Sequence, residues 1–306
     1  MALPDYQILL DDQIRAFIAA TDACYPPDTA TMEIAQQRAI YDAMCAQFHR
    51  PYPHGITAQN TKIAGVACRR YSGALPRVVY FHGGGFVVGG LESHDDVCAE
   101  IAAATGREVV SVDYRLSPEH LHPAAFDDAC GVVRALAGEG PVVLAGDSAG
   151  GNLAAATTQA LRGTGAILGQ VLIYPGLGGD PTKGSYLTHA FAPMLTLADV
   201  AFYGEIRGKP TAGDATLSPL QDDNFSGIAP TFAQAAECDP LADDALTYAS
   251  VIQAAGGKAH AATAKGLVHG YLRARHTSDR AAAGFAEICT AITAFAKGDW
   301  PYGEQR

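Results

Sequence analysis

The run Pro141-Val-Val-Leu-Ala-Gly-Asp-Ser-Ala-Gly-Gly151 constrains this chain more than any other stretch. Val142 to Ala145 is a short apolar run of the buried-strand kind, and the residues from Asn152 to Leu161 favour a helix. Between them Gly146, Gly150 and Gly151 permit a turn too tight for larger side chains. Ser148 falls at its apex, so a strand, turn and helix in this order would lift a serine hydroxyl to the C-terminal edge of a sheet. An ordinary glycine turn closing a βα unit reads the same in isolation, and companion residues must decide between the two.

With 306 residues, 48% of them hydrophobic and 17% charged, the chain has the composition of a soluble globular protein built on one large α/β core with insertions. Its formal net charge of -11 argues against nucleic acid or an anionic membrane surface as partner, and favours a small neutral substrate. Met1 to Leu10 carries no basic segment followed by a long apolar one, and no apolar run of spanning length occurs. The expectation is therefore a cytoplasmic protein without a stable membrane anchor. Seven scattered cysteines without a CxxC pair suggest reduced thiols and no metal site.

Apolar residues recur at helical spacing from Ile8 to Ala20 and from Thr31 to Phe48, so residues 1–50 read as a helical unit ahead of the sheet. It is either a lid or a packing pair. Strands are expected over Ile56 to Gln59, Lys62 to Arg70 and Arg77 to Phe81, with Asn60-Thr61 as a turn. Ser93 and Asp96 have the spacing of a capping box for a helix ending at Gly106. Strands then alternate with helices to the C-terminus, which implies a mainly parallel sheet covered on both faces. One interruption stands out. The stretch Pro175 to Pro219 is too long for a simple connection and too apolar for a solvated loop, with Thr196 and Asp199 spaced to cap a helix.

A serine hydroxyl needs a base within hydrogen-bond reach and a carboxylate to orient that base. Of the histidines after Ser148, His189 lies in the long insertion, His260 inside a strand spanning Lys258 to Ala264, and His276 in a polar segment. His269 follows that strand directly, between glycines, and is the candidate base. Asp239 follows the strand Thr231 to Glu237 and is the candidate carboxylate; it could instead only cap the next helix, as Asp243 and Asp244 could serve its first turn. Asp147 is assigned scaffold hydrogen bonds.

Stabilising an oxyanion calls for backbone N–H groups that a substrate can approach closely, and Gly83, Gly84 and Gly85, with Ala149 after the serine, are the candidates. A phosphate cradle would need a Walker lysine or a GxGxxG pattern, and neither is present, so no cofactor is expected. His82 precedes Ser148 and reads as a brace for the loop. Phe86, Phe191, Met194, Phe202 and Tyr203 are the candidate substrate-pocket residues, with Phe17 and Met44 of the N-terminal helices completing a roof.

Taken together, His82-Gly-Gly-Gly85, Asp113-Tyr-Arg-Leu-Ser-Pro-Glu-His120 with Pro123-Ala-Ala, Gly146-Asp-Ser-Ala-Gly-Gly151, Asp239-Pro-Leu241 and Val268-His-Gly270 resemble the hormone-sensitive-lipase-like (family IV) bacterial esterases of the α/β-hydrolase superfamily. The resemblance covers nearly the whole domain. It implies a mostly parallel eight-stranded sheet with helices on both faces and a helical cap, made of residues 1–50 and an insertion at about 176–217 in a catalytic domain of residues 51–306. It implies Ser148 as nucleophile with Asp239 and His269, and the glycine loop with Ala149 as oxyanion site. Cys238 departs from the pattern, standing where relatives often carry tyrosine. The implied activity is hydrolysis of short-chain acyl esters through an acyl-serine. An amidase or arylformamidase could use the same residues, and a non-catalytic small-molecule receptor could keep the same fold. The strand Lys258 to Ala264, close to the end of the sheet, is expected to pair with its copy in a homodimer, and the resemblance favours this too.

Overall fold

The computed structural model describes residues 4–208 and 213–303; residues 1–3 of the N-terminal unit and 209–212 of the long insertion lie outside them. Three helices come first, α1 (Tyr6–Leu9), α2 (Asp12–Asp22) and α3 (Ile34–Phe48). An antiparallel hairpin of β1 (Ala58–Ile63) and β2 (Val66–Tyr71) opens the sheet. The turn expected at Asn60-Thr61 lies inside β1 instead, because Ala64 and Gly65, both at positive φ, make the reversal.

The alternating part runs β3 (Ala74–Phe81), α4 (Asp95–Thr105), β4 (Arg107–Val112), α5 (Ala124–Ala137), β5 (Val142–Asp147), α6 (Ala149–Ala160) and β6 (Ile167–Ile173). The insertion contributes α7 (Gly184–Thr188) and α8 (Leu197–Arg207), before β7 (Thr231–Cys238), α9 (Ala242–Ala254), β8 (Ala259–Val268) and α10 (Asp279–Ala296). The eight strands lie in the order β1-β2-β4-β3-β5-β6-β7-β8, parallel from β4 to β8.

Alternate strand residues feed two cores. Val78, Tyr80, Val143, Ala145, Val171 and Ile173 pack with α4 and α10 on one face, while Val79, Phe81, Leu144 and Leu172 pack with α5, α6 and α9 on the other. Phe17 of α2 is 3% exposed and belongs to the first of these cores, where its ring meets Phe48 edge-on at 5.2 Å. The expectation that Phe17 roofs a pocket is thus corrected: α2 is scaffold, its apolar stripe spent on the main core.

The capping box read at Ser93 and Asp96 does not form. His94 is the N-cap without a side-chain cap bond, and the Ser93 hydroxyl is committed to Gly90 and to His94 Nδ1 at 2.9 Å. The box read at Thr196 and Asp199 does form at the start of α8. β8 is longer than expected and is the sheet's last strand, so its outer edge has no neighbour within the sheet.

Candidate active site

β5 is buried along its whole length, and its last residue, Asp147, leads into Ser148 at φ 53 and ψ -117. Positive φ is costly for a serine, and the surrounding packing holds it there. A Cβ on Gly150 would lie 1.9 Å from the Phe81 carbonyl oxygen, and one on Gly146 would lie 2.4 Å from the Gly150 oxygen. Only glycine lets α6 start this close to β3 and β5, and that proximity forces the turn.

Ser148 Oγ lies 2.9 Å from His269 Nε2, and His269 Nδ1 lies 2.7 Å from Asp239 Oδ2. Asp239 is fully buried at the end of β7, with its other oxygen accepting from the Leu241 amide at 2.8 Å; Leu241, not Asp239, is the N-cap of α9. His269 directly follows β8, and the Tyr174 ring packs 4.8 Å from its imidazole. An acceptor carboxylate at Nδ1 fixes the proton there and leaves Nε2 free to take the serine proton. Other histidines are engaged elsewhere: His189 with the Tyr6 hydroxyl, His260 stacked on Tyr302 at 4.2 Å, and His276 with Glu100.

Among the glycines, the structure corrects one expectation. The Gly83 N–H donates to Asp147 Oδ1 at 2.9 Å, so it is spent on the scaffold and has nothing to offer an oxyanion. Among the described residues no acceptor takes the N–H groups of Gly84, Gly85 or Ala149. Gly85 is further enclosed by the Tyr203 ring, 2.5 Å from where its Cβ would be. His82 is buried, stacked on Tyr114 at 4.3 Å, and accepts the Tyr114 hydroxyl on its carbonyl at 2.6 Å. Burial, followed by the neighbouring His94, pushes its imidazole down to about 4, which keeps a loop-bracing ring neutral.

Asp147 is a hub that sequence reasoning saw only as scaffold. Its oxygens accept from the Tyr80 hydroxyl at 2.7 Å, from Gly83, and from the Tyr174 hydroxyl at 3.4 Å, and lie 3.3 Å from His94 Nε2. Burial alone would raise its carboxyl, but His94 and the Tyr80 hydroxyl outweigh burial and hold it well below the usual carboxylate range. One carboxylate thereby ties the nucleophile turn to the glycine loop. A second clamp comes from α3. Arg38 Nε donates to the Val87 carbonyl and Nη2 to the Ser117 carbonyl, with Glu119 paired at 2.7 Å. Since the Ser117 amide donates to the Phe86 carbonyl, α3 braces the chain immediately after the glycines. Nothing in the spacing of Arg38 could have announced this contact.

The candidate pocket residues separate. Tyr203 and Phe202 sit together on α8 with rings 5.5 Å apart, and the Met194 methyl lies 3.9 Å from where a Cβ of Gly270 would be, beside His269. Phe191 is 74% exposed, outside any enclosure, because it precedes the turn into α8 and faces solvent. Phe86 is buried with the Arg207 guanidinium 3.5 Å over its ring, which makes it a floor under α8. Met44 is buried on α3. Asp243 and Asp244 do lie in the first turn of α9, and they also hold the insertion: Asp243 accepts from the Ser185 amide, and Asp244 from the Leu177 amide and the Tyr186 hydroxyl.

Known proteins resemble this chain in sequence and in fold. The family described as alpha/beta hydrolase fold matches residues 78–273. Esterase LipI of Mycobacterium tuberculosis is 39% identical over 214 residues, 64% of this chain and 66% of its own length. Carboxylic ester hydrolase LipN of the same organism is 32% identical over 290 residues, 86% of this chain and 76% of its own. Among solved structures, the esterase of Pyrobaculum calidifontis superposes with a TM-score of 0.84 at 31% identity, covering 94% of this chain and 99% of that one.

Proposed function

The chain belongs to the α/β-hydrolase family, in its hormone-sensitive-lipase-like branch, and we propose that it is a serine carboxylic-ester hydrolase whose nucleophile, base and orienting carboxylate are Ser148, His269 and Asp239. The observation that carries this reading is the continuous relay from Asp239 Oδ2 through His269 to Ser148 Oγ, at 2.7 and 2.9 Å, beside amides that no acceptor among the described residues takes. Ser148 attacks the ester carbonyl as His269 Nε2 takes its proton. The amides of Gly84, Gly85 and Ala149 receive the oxyanion, and His269 returns the proton to the leaving alcohol. Water, activated by the same imidazole, then cleaves the acyl-serine.

The substrates are small esters with short acyl chains. Tyr203 against Gly85 and Met194 beside Gly270 narrow the space around the serine. Each acyl methylene buried is worth about 0.8 kcal/mol, so activity should peak on the order of two to six carbons. The insertion at 176–217 and α3 form the cap over this space. β8 is the edge through which two copies pair, and the cytoplasm is the compartment proposed. Among the described residues no helix is long and apolar enough to cross a membrane. A panel of acyl esters, matched amides and aryl formamides tests the activity. Ester turnover abolished together with fluorophosphonate labelling by Ser148→Ala is the expected result, and faster turnover of the amides or formamides would replace the reading.

A further inference from the structure

The protein buries two arginines where the insertion and the N-terminal helices meet the catalytic core, and they differ in one respect. Arg207 is closed off: it stacks on Phe86 and donates to the Leu217 carbonyl and to Asn152 Oδ1. Arg273 follows His269 by one turn of chain and is not closed off. Its Nη2 donates to the Tyr41 hydroxyl at 2.8 Å and to Cys45 Sγ at 3.1 Å, both on α3. Its Nε is buried without any acceptor, and among the described residues no carboxylate comes within ion-pair distance. Arg275, two residues on, is also buried but pairs with Asp96 and Glu100. A buried cation ordinarily has such a partner, and Arg273 lacks one.

Its surroundings say where a partner would come from. Arg273 is enclosed by protein yet keeps intermediate solvent accessibility, as do Tyr41, Tyr25 and Tyr203 near it and Ser148 and His269 beyond. Partial exposure of groups this deep leaves a path to them from solvent. Arg273 lies in the short helical turn Tyr271–Ala274 that leaves His269, and the Tyr174 ring packs against both His269 and Tyr271, so this path adjoins the candidate active site. The charge of Arg273 is felt by Asp147, next to Ser148, and by Tyr174, which packs on His269. Tyr25 feels both Arg273 and Tyr203, and Tyr203 covers Gly85 of the oxyanion loop. Asp147 is no substitute partner, since both its oxygens are occupied by Tyr80, Gly83, His94 and Tyr174.

We propose that Arg273, with the Tyr41 hydroxyl beside it, forms a carboxylate-binding subsite in the ester cleft. The best substrates then carry a carboxylate a few bonds from the scissile carbonyl. The inference rests on the ester-hydrolase reading and narrows it. The net charge of -11 favoured neutral substrates, but it counts the whole surface, whereas the cleft holds one desolvated guanidinium whose Nε–H has no acceptor. Hydrolysis of such an ester consumes one water. It releases an alcohol and a dicarboxylate if the charge sits on the acyl part, or a carboxylic acid and a hydroxy acid if it sits on the alcohol part.

Two matched pairs test the subsite and tell those sources apart: 4-nitrophenyl hemiglutarate against 4-nitrophenyl valerate, and 4-acetoxybenzoate against 4-methylphenyl acetate. In the wild-type enzyme one pair should favour the charged member in kcat/KM by about tenfold, and Arg273→Gln should reduce that ratio by roughly 10 to 100-fold while Arg273→Lys retains most of it. Neutral members turned over as fast as, or faster than, the charged ones in both pairs would overturn the subsite and leave the esterase reading standing. No turnover of any of the four esters would remove the esterase reading itself. Because Arg273 also holds α3, folding of each variant is checked by circular dichroism. Should Arg273→Gln not fold, competition on wild type decides: inhibition by glutarate that exceeds inhibition by valerate supports the subsite, and equal inhibition rejects it.

Discussion

The ends of β5, β7 and β8 and the layer above them are built by opposite rules. Ser148, Asp239 and His269 each stand within a residue of a strand's C-terminal end, so their positions follow from the parallel sheet. The layer above is assembled from partners far apart in sequence: Arg38 with Val87 and Ser117, Arg273 with Tyr41, Tyr6 with His189, and Arg207 on Phe86. Chemistry is thus placed by backbone topology, and access to it by individual side-chain contacts. Changes in the first region should abolish turnover, whereas changes in the second should alter which substrates are accepted.

The largest effect expected is at the sheet edge. His269→Ala and Asp239→Asn should each lower kcat about 10⁴-fold or more for Asp239→Asn and further for His269→Ala, with Ser148→Ala at least as damaging. The double mutant of His269 and Asp239 should lose far less than the product of the single losses, because the two act through one proton path. Single-turnover kinetics on the set would expose independent action as simple multiplication. Activity that survives His269→Ala but not a change at His276 would move the base elsewhere.

The same contrast explains what could be read from the sequence. Strand ends carrying Ser148, Asp239 and His269 were legible because apolar runs and glycines mark them locally, and the mainly parallel sheet followed from alternation, though not its strand order. Asp147 was legible as scaffold, but not that it takes the Gly83 amide out of the oxyanion site, since that depends on β3 and β5 lying side by side. Phe17 was misread for the same reason: helical spacing shows that a face is apolar without showing which surface covers it. Arg38 and Arg273 sit in unremarkable polar contexts, and only folding reveals that one braces the glycine loop and the other has, among the described residues, no carboxylate within ion-pair distance.

Asp147→Asn probes the joint between the two regions from below. The amide can still accept from Tyr80 and Gly83 on one atom, but it presents N–H groups toward Tyr174 and His94 where acceptors stood. We expect kcat to fall roughly 10 to 100-fold with little change in KM, as the oxyanion amides lose alignment. A loss confined to KM would show that Asp147 does not govern the oxyanion loop.

From above, Arg38→Ala removes the clamp on Val87 and Ser117 together with a half-exposed ion pair to Glu119. The pair itself is worth about 1 kcal/mol or less in solvent, and the two buried-end carbonyl bonds about 1–2 kcal/mol each, so stability should fall by roughly 2–5 kcal/mol. Activity should drop only severalfold, and the preference for short acyl chains should flatten. An unchanged chain-length profile in a destabilised protein would make α3 scaffold like α2.

The smallest effect concerns how the insertion is pinned. Burial raises the Asp244 carboxyl to about 6, against the opposing pull of the Leu177 amide and Tyr186 hydroxyl. A carboxyl whose folded pKa exceeds its unfolded value contributes stability that is fully present below the unfolded pKa, about 4, and is lost as pH rises through about 6. Asp244→Asn keeps an oxygen for Leu177, Gly179 and Tyr186, all of which meet the same carboxylate oxygen, and carries no charge at any pH. Between pH 4 and pH 7 the wild type should therefore lose about 2–3 kcal/mol relative to the variant, with the loss complete just above pH 6. Urea unfolding across that range measures it. If both proteins trace parallel curves, the three donors fully offset the burial of the charge and the insertion is held equally firmly in acid and at neutrality. If only the wild type weakens, the layer above the serine is the part of the molecule that loosens first as pH rises, while Ser148, His269 and Asp239 stay fixed to the sheet below.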